Sequence, residues 1–180
     1  VYKRQVVNGG GLTGLQIFPD DEIEIINDEG NQVCEIVVFD KDGKSDLGIL
    51  NLKENSKNSE IKKILTSKDE SSLIANHQLK KRNLDITKSK SSLIFSKDSI
   101  SGDKINFKSK DKCYVIFAAP GKDMLVHEQN PVTDLTIFIK RANVINDKEL
   151  SVIPDPVYDP KHEQNIDRTT AISYEVKEGD

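Results

Sequence analysis

The chain is punctuated by turn residues at short intervals, and several of the segments between them have a hydrophobic period of two. Glu22-Ile23-Glu24-Ile25-Ile26 places acids on one side and isoleucines on the other, and Asp134–Lys140 sets Leu135, Ile137 and Ile139 on one face. Leu15–Phe18 also alternates, and Gln32–Phe39, Leu47–Leu52, Ser92–Phe95 and Lys104–Phe107 are further short apolar runs. Pro19-Asp20-Asp21, Asp28-Glu29-Gly30, Asp40–Gly43, Asp98–Asp103 and Pro120-Gly121 interrupt them. This pattern predicts a mainly β chain, an antiparallel barrel or sandwich. Glu22–Phe39 is expected to form a β-hairpin around Gly30, which can take positive φ. Cys113–Ala119 is the most apolar run and is expected to be a central strand.

Lys53–Ser92 breaks the pattern. It is rich in Lys, Asn and Ser, and no Pro or Gly occurs between Leu52 and Ile100. Ile61, Ile64 and Leu65 fall at helical spacing, as do Leu73, Ile74 and His77. A small helical insertion within 53–92 is therefore predicted. Pro154, Pro156 and Pro160 make 154–169 an extended linker between a β domain at 1–153 and a last strand, or the start of a second unit, at 170–180. Phe18–Glu22 is loosely similar to Val176–Asp180, which would make that second unit a repeat. The chain starts at Val1, has its one Met at position 124 and stops on an alternating run, so it is expected to be a segment of a longer polypeptide.

Of the 180 residues, 36% are hydrophobic, enough for a core of modest size. Apolar stretches such as Tyr114–Pro120 are too short to cross a bilayer, and a net charge of -4 gives no electrostatic footprint for nucleic acid. Neither a membrane nor a nucleic acid is an expected partner. Two cysteines make no disulfide scaffold, and the expected compartment is the cytoplasm.

Motifs that carry chemistry are sparse. No C-x-x-C or H-E-x-x-H spacing occurs, so a metal site would need long-range convergence, for example of His77, Cys113 and His127. His127-Glu128-Gln129-Asn130 recurs as His162-Glu163-Gln164-Asn165, but neighbours on an extended segment point apart, so each is read as solvated loop. Gly9–Gly14 has no following Lys and precedes a strand, so close backbone approach or a flexible arm is expected rather than phosphate binding. Lys80-Lys81-Arg82 is read as solvated surface. Gln32 and Glu35 are unusual in an apolar strand, and their spacing of three sends them to opposite faces, one of them lining a cavity or lying in solvent.

Two stretches carry a family resemblance. Asp21–Glu35, with Asp28-Glu29-Gly30-Asn31-Gln32 at its centre, resembles a hairpin of the urea carboxylase-associated family. Ala118–Met124 followed by Asn130–Leu135 is similar to the N-terminal region of aminomethyltransferase-like proteins, relatives of the glycine-cleavage T protein. The resemblance implies an accessory N-terminal domain of a one-carbon transferase, binding a small amine or docking the catalytic domain. Tetrahydrofolate would bind a C-terminal domain lying outside these residues, and no cofactor is expected within them. The rest of its own polypeptide is then the expected partner. Gln32, Cys34, Glu35 and the Pro120-Gly121-Lys122-Asp123 turn are the residues expected at a pocket. The alternative is a metal-dependent hydrolase or deiminase acting on a carboxylated guanidine or urea, with His77, Cys113 and His127 as ligands.

Overall fold

A computed structural model describes residues 2–56, 60–96, 98–121, 132–143 and 153–159. Two antiparallel sheets face one another, and a helical layer covers the far side of one of them. Sheet A has the strand order β1 (Tyr2–Val7), β8 (Leu135–Lys140), β3 (Glu22–Asn27), β6 (Asp103–Lys108). Sheet B has the order β5 (Ser91–Ile94), β4 (Cys34–Asp40), β7 (Cys113–Ala118), β2 (Leu12–Ile17), β9 (Val157–Tyr158). The expected sandwich is present. The sheets keep separate edges and do not close into a barrel.

Coverage explains which strands alternate. Between the sheets, Leu15, Ile17, Cys34, Ile36, Val38, Cys113, Val115 and Phe117 of sheet B meet Val7, Ile23, Ile25, Leu135, Ile137 and Ile139 of sheet A. On the far side of sheet B, Leu12, Val37, Phe39, Tyr114, Ile116 and Ala118 pack on helices α1 (Glu60–Thr66) and α2 (Glu70–Lys81). With both faces covered, β7 is buried at every position, and it sits in the middle of its sheet as expected. Sheet A has one uncovered face, so β6 alternates along its length. Each fully buried Val, Leu, Ile or Phe contributes about 1.5–3 kcal/mol relative to its exposed state.

The same logic corrects the expected hairpin. β3 pairs with β6 and β8, whereas β4 pairs with β5 and β7. Residues 28–33 cross from one sheet to the other. A one-sided strand and a two-sided strand need different surroundings, and only sheet B covers both faces of Cys34–Asp40. Gly30 takes φ +79 in this crossing, and a Cβ there would meet the Ile100–Ser101 backbone at 2.7 Å. The expected strand at Leu47–Leu52 is instead a 3-10 turn at Leu47–Leu50, capped by Asp46, which accepts from the amide of Gly48, and ended by Asn51 at φ 57.

Both helices of the insertion are present. In α1, Ile61 and Leu65 are buried as their spacing predicted. In α2 the inward face is Ser72, Ala75 and Leu79, while Leu73 and Ile74 are more than half exposed. Small residues let α2 lie close, with Ser72 Oγ donating to the carbonyl of Ile64 at 2.6 Å. The first part of the proline-rich stretch lies on the sandwich. Gly14 N donates to the Pro156 carbonyl at 2.9 Å, and β9 pairs with β2. The expected strand at 170–176 lies outside the described residues. No described helix is long and apolar enough to cross a membrane.

Candidate functional site

The residues expected at a pocket are distributed as follows. Gln32, buried before β4, donates from Nε2 to the carbonyls of Val33 (2.8 Å) and Pro120 (2.9 Å) and accepts from Thr133 N at 3.0 Å. It thereby ties the entry of β4 to the exit of β7. Gly121 lies exposed beyond, and a Cβ there would meet Val132 Cγ1 at 3.3 Å. Cys34 points into the core between the sheets, where burial and then the charge of Glu35 push its thiol pKa well up. Glu35, also fully buried, belongs to the opposite face of β4 and accepts from the amides of Glu60 (2.9 Å) and Ile61 (3.3 Å) at the start of α1. The structure thus joins Gln32 to Pro120 and separates Cys34 from Glu35. Asp123 lies outside the described residues.

Of the metal alternative's three residues, the two that are described are also placed apart. His77 is exposed on α2, in the layer outside sheet B, while Cys113 faces the core on the other side of that sheet. Burial raises the Cys113 thiol pKa to about 11, only partly offset by its hydrogen bond with Ser109. His127 lies outside the described residues. No group of three His, Cys, Asp or Glu side chains suited to a metal occurs among the described residues. Both copies of the His-Glu-Gln-Asn repeat fall outside them.

At the other end of sheet B, three side chains from distant segments meet. Tyr114 OH on β7 donates to Asp155 Oδ1 at 2.7 Å. Arg82, the C-cap of α2, donates from Nη2 to the same oxygen at 3.0 Å and to the carbonyl of Ile153 at 2.6 Å. Its guanidinium lies 4.4 Å from the centre of the Tyr114 ring. Burial first, and then the hydrogen bond to Asp155 and its charge, raise the tyrosine pKa, with Arg82 acting the other way. The phenol is therefore a proton donor across the neutral range. Gly14 opens the space for this contact, because a Cβ there would meet Pro156 and the Tyr114 ring and hydroxyl at 2.8 Å. A cavity of about 240 Å³ borders the cluster, with Gln16, Asp40, Lys41, Lys112 and Cys113 in its wall.

Arg82 corrects the reading of Lys80-Lys81-Arg82 as solvated surface. Its side chain is only 8% exposed. Local charge density hid this, since its acidic partner stands 73 residues away. An aspartate held between two prolines, Pro154-Asp155-Pro156, was the available signal, because such a segment presents its side chain from a stiff extended backbone.

The fold and this cluster define a mainly β, two-sheet sandwich with one helix-covered face. No protein-family model matches the chain. It is similar to the trimethylamine-oxide aldolase of Ruegeria pomeroyi, with 34% identity over 178 residues. The match covers 99% of this chain and 22% of that protein, so the chain spans about a fifth of the relative's length. This overturns the expected transferase class, because the similar protein is named as an aldolase, a bond-cleaving enzyme. Neither a urea carboxylase-associated nor an aminomethyltransferase model matches.

Proposed function

We propose that this chain is an accessory β-sandwich module of a larger protein that cleaves a small methylated amine oxide. The observation that carries this reading is the 34% identity along nearly the whole chain with a trimethylamine-oxide aldolase. Such cleavage needs no outside oxidant. One trimethylamine N-oxide contains all the atoms of one dimethylamine and one formaldehyde, with the oxygen passing from nitrogen to carbon.

The described residues favour a shaping or docking role. Both thiols are buried with raised pKa, and the Tyr114 hydroxyl is held protonated, so none of the three is an activated nucleophile at neutral pH.

The test uses the longer polypeptide that contains these residues. Incubated with trimethylamine N-oxide, it is expected to release formaldehyde and dimethylamine in equal amounts. Absence of aldehyde from this and from other small methylated amine oxides would overturn the small-amine reading. For the accessory role, Tyr114→Phe is expected to keep kcat within about twofold. A loss of about a hundredfold in a folded variant would make Tyr114 an acid–base catalyst and overturn it.

A further inference from the structure

We propose that the uncovered face of sheet A, centred on Phe138, is the surface by which this module docks onto another part of its own longer polypeptide. The inference rests on the accessory role proposed above and names the face that would perform it.

The register fixes what this face presents. Leu135, Ile137 and Ile139 of β8 point into the core, so Thr136, Phe138 and Lys140 point away from it. Arg4 of β1 and Glu24 of β3 stand opposite Phe138, while Val6 and Ile26 stand opposite Thr136. Val6, Ile26 and Phe138 are each half-buried. A groove of about 390 Å³ runs over Phe138, walled by Arg4, Glu22, Glu24, Asn106 and Lys140. An apolar centre with an aromatic side chain in a groove and a polar rim is the anatomy of a contact surface.

The rim charges are arranged in stripes. Glu22 and Glu24 lie on β3, with Arg4 and Lys140 on one flank and Lys104 and Lys108 on the other. Glu22 and Lys140 are register partners. Even so, none of Arg4, Glu22, Glu24 and Lys140 forms an ion pair among the described residues. The complementary surface would place basic groups over β3 and acidic groups over its flanks.

Area and chain path choose the occupant. Four strands of six residues make a face of about 19 by 20 Å. Covering it buries about 800 Å² over both surfaces, the size of a contact between domains of one chain and about half that of a stable complex of separate proteins. A second copy would be held weakly there, whereas a covalently joined domain is already at high local concentration. β1 runs into β2 through 8–11, so the β1 edge of sheet A and the β9 edge of sheet B lie on one flank of the sandwich. Residues 153–159 are fixed on that flank by the β9–β2 pairing and by the bonds of Arg82 and Tyr114 to Asp155. The chain beyond Asp159 therefore starts beside the uncovered face. The matched stretch is only 22% of the relative, so most of such a polypeptide lies outside it.

Photo-crosslinking in the longer polypeptide tests this without substrate. p-Benzoylphenylalanine replaces Phe138 in one variant, the exposed Asn106 in a second and, as a control on α2, the exposed His77 in a third. Crosslinked peptides are identified by mass spectrometry. The expected product from positions 138 and 106 keeps the mass of a single chain and joins them to residues outside these 180. Glu24→Lys, added to the position-106 variant, reverses a rim charge and is expected to lower the yield at least about fivefold. If the position-138 variant fails to fold, the position-106 variant decides. A product of two chains would assign the face to a second copy and overturn the proposal. Crosslinks confined to residues 1–180, a yield no higher than the control, or a yield unchanged by Glu24→Lys would also overturn it. Formaldehyde release without these crosslinks would remove the docking face and leave the amine-oxide reading standing.

Discussion

Gln32 Nε2 lies 2.9 Å from the carbonyl oxygen of Pro120, while the same side chain accepts from Thr133 N at 3.0 Å. One amide therefore joins the entry of β4, the exit of β7 and the approach to β8, where Asn27 Nδ2 adds a bond to the Gln32 carbonyl at 2.8 Å. Gln32→Leu would leave these groups buried without partners and is expected to cost about 3 kcal/mol. Gln32→Glu is expected to be no milder, because a carboxylate oxygen would face the Pro120 carbonyl. Urea unfolding should show lower midpoints at unchanged m-value. A loss below about 1 kcal/mol for both variants would mean that water satisfies the abandoned groups.

Gly14→Ala tests the close approach on the helix-covered face. The new methyl would meet Pro156 and Tyr114 at 2.8 Å, and Pro156 also accepts from Gly14 N. The expected result is displacement of 153–159, with a loss of about 1–3 kcal/mol. Hydrogen exchange at Gly14 itself cannot be compared with its replacement, so the readout is the Thr13 amide and its β-sheet neighbours. Unchanged protection across that edge would show that the strand absorbs the methyl without moving 153–159.

Glu35→Ala removes the carboxylate that accepts from the first two amides of α1. These are donors that the helix cannot satisfy internally, and loss of a cap costs about 0.5–2 kcal/mol. Faster amide exchange is expected in Glu60–Thr66, with little change at Val115–Phe117 in the strand beneath. Equal loss in both places would assign Glu35 to global stability instead of to the helix.

The same residues show what was legible before the fold was known. One-sided strands such as β8 announced their inner residues, because Leu135, Ile137 and Ile139 alternate with polar or half-buried neighbours. The centrality of β7 followed from its unbroken apolar run. Sheet membership was not legible, since what places β3 and β4 in different sheets is the cover supplied by α1 and α2, from a separate part of the chain. β1 was hidden because Lys3, Arg4 and Gln5 give an edge strand the look of coil. Gln32 stands out in the sequence as a polar residue in apolar surroundings, but its partners lie 88 and 101 positions away, and no local pattern names them. For the same reason the Tyr114–Asp155–Arg82 cluster could not be assembled from spacing.

The buried thiols predict how stability depends on pH. Both cysteines are free and buried, and burial raises both from the ordinary value of 9.0, with Cys113 at about 11 and Cys34 raised further. Above pH 9 the unfolded chain releases thiol protons that the folded chain keeps. The unfolded state then binds fewer protons, so stability falls as pH rises, by up to about 1.4 kcal/mol per pH unit for each thiol. For Cys113 the fall ends near pH 11, where the folded thiol also ionises. Cys34 continues beyond it, and Tyr114, raised from 10.0, adds to the slope above pH 10. Below pH 9 these groups contribute no slope. Urea midpoints between pH 8 and pH 10.5 should therefore decline, and Cys34→Ala/Cys113→Ala should flatten the decline while costing packing energy at every pH. At pH 8 a thiol reagent should label neither cysteine in the folded chain and both after unfolding. Rapid labelling of Cys113 without unfolding, or an identical slope in the double variant, would contradict the burial that separates these residues from any reactive site.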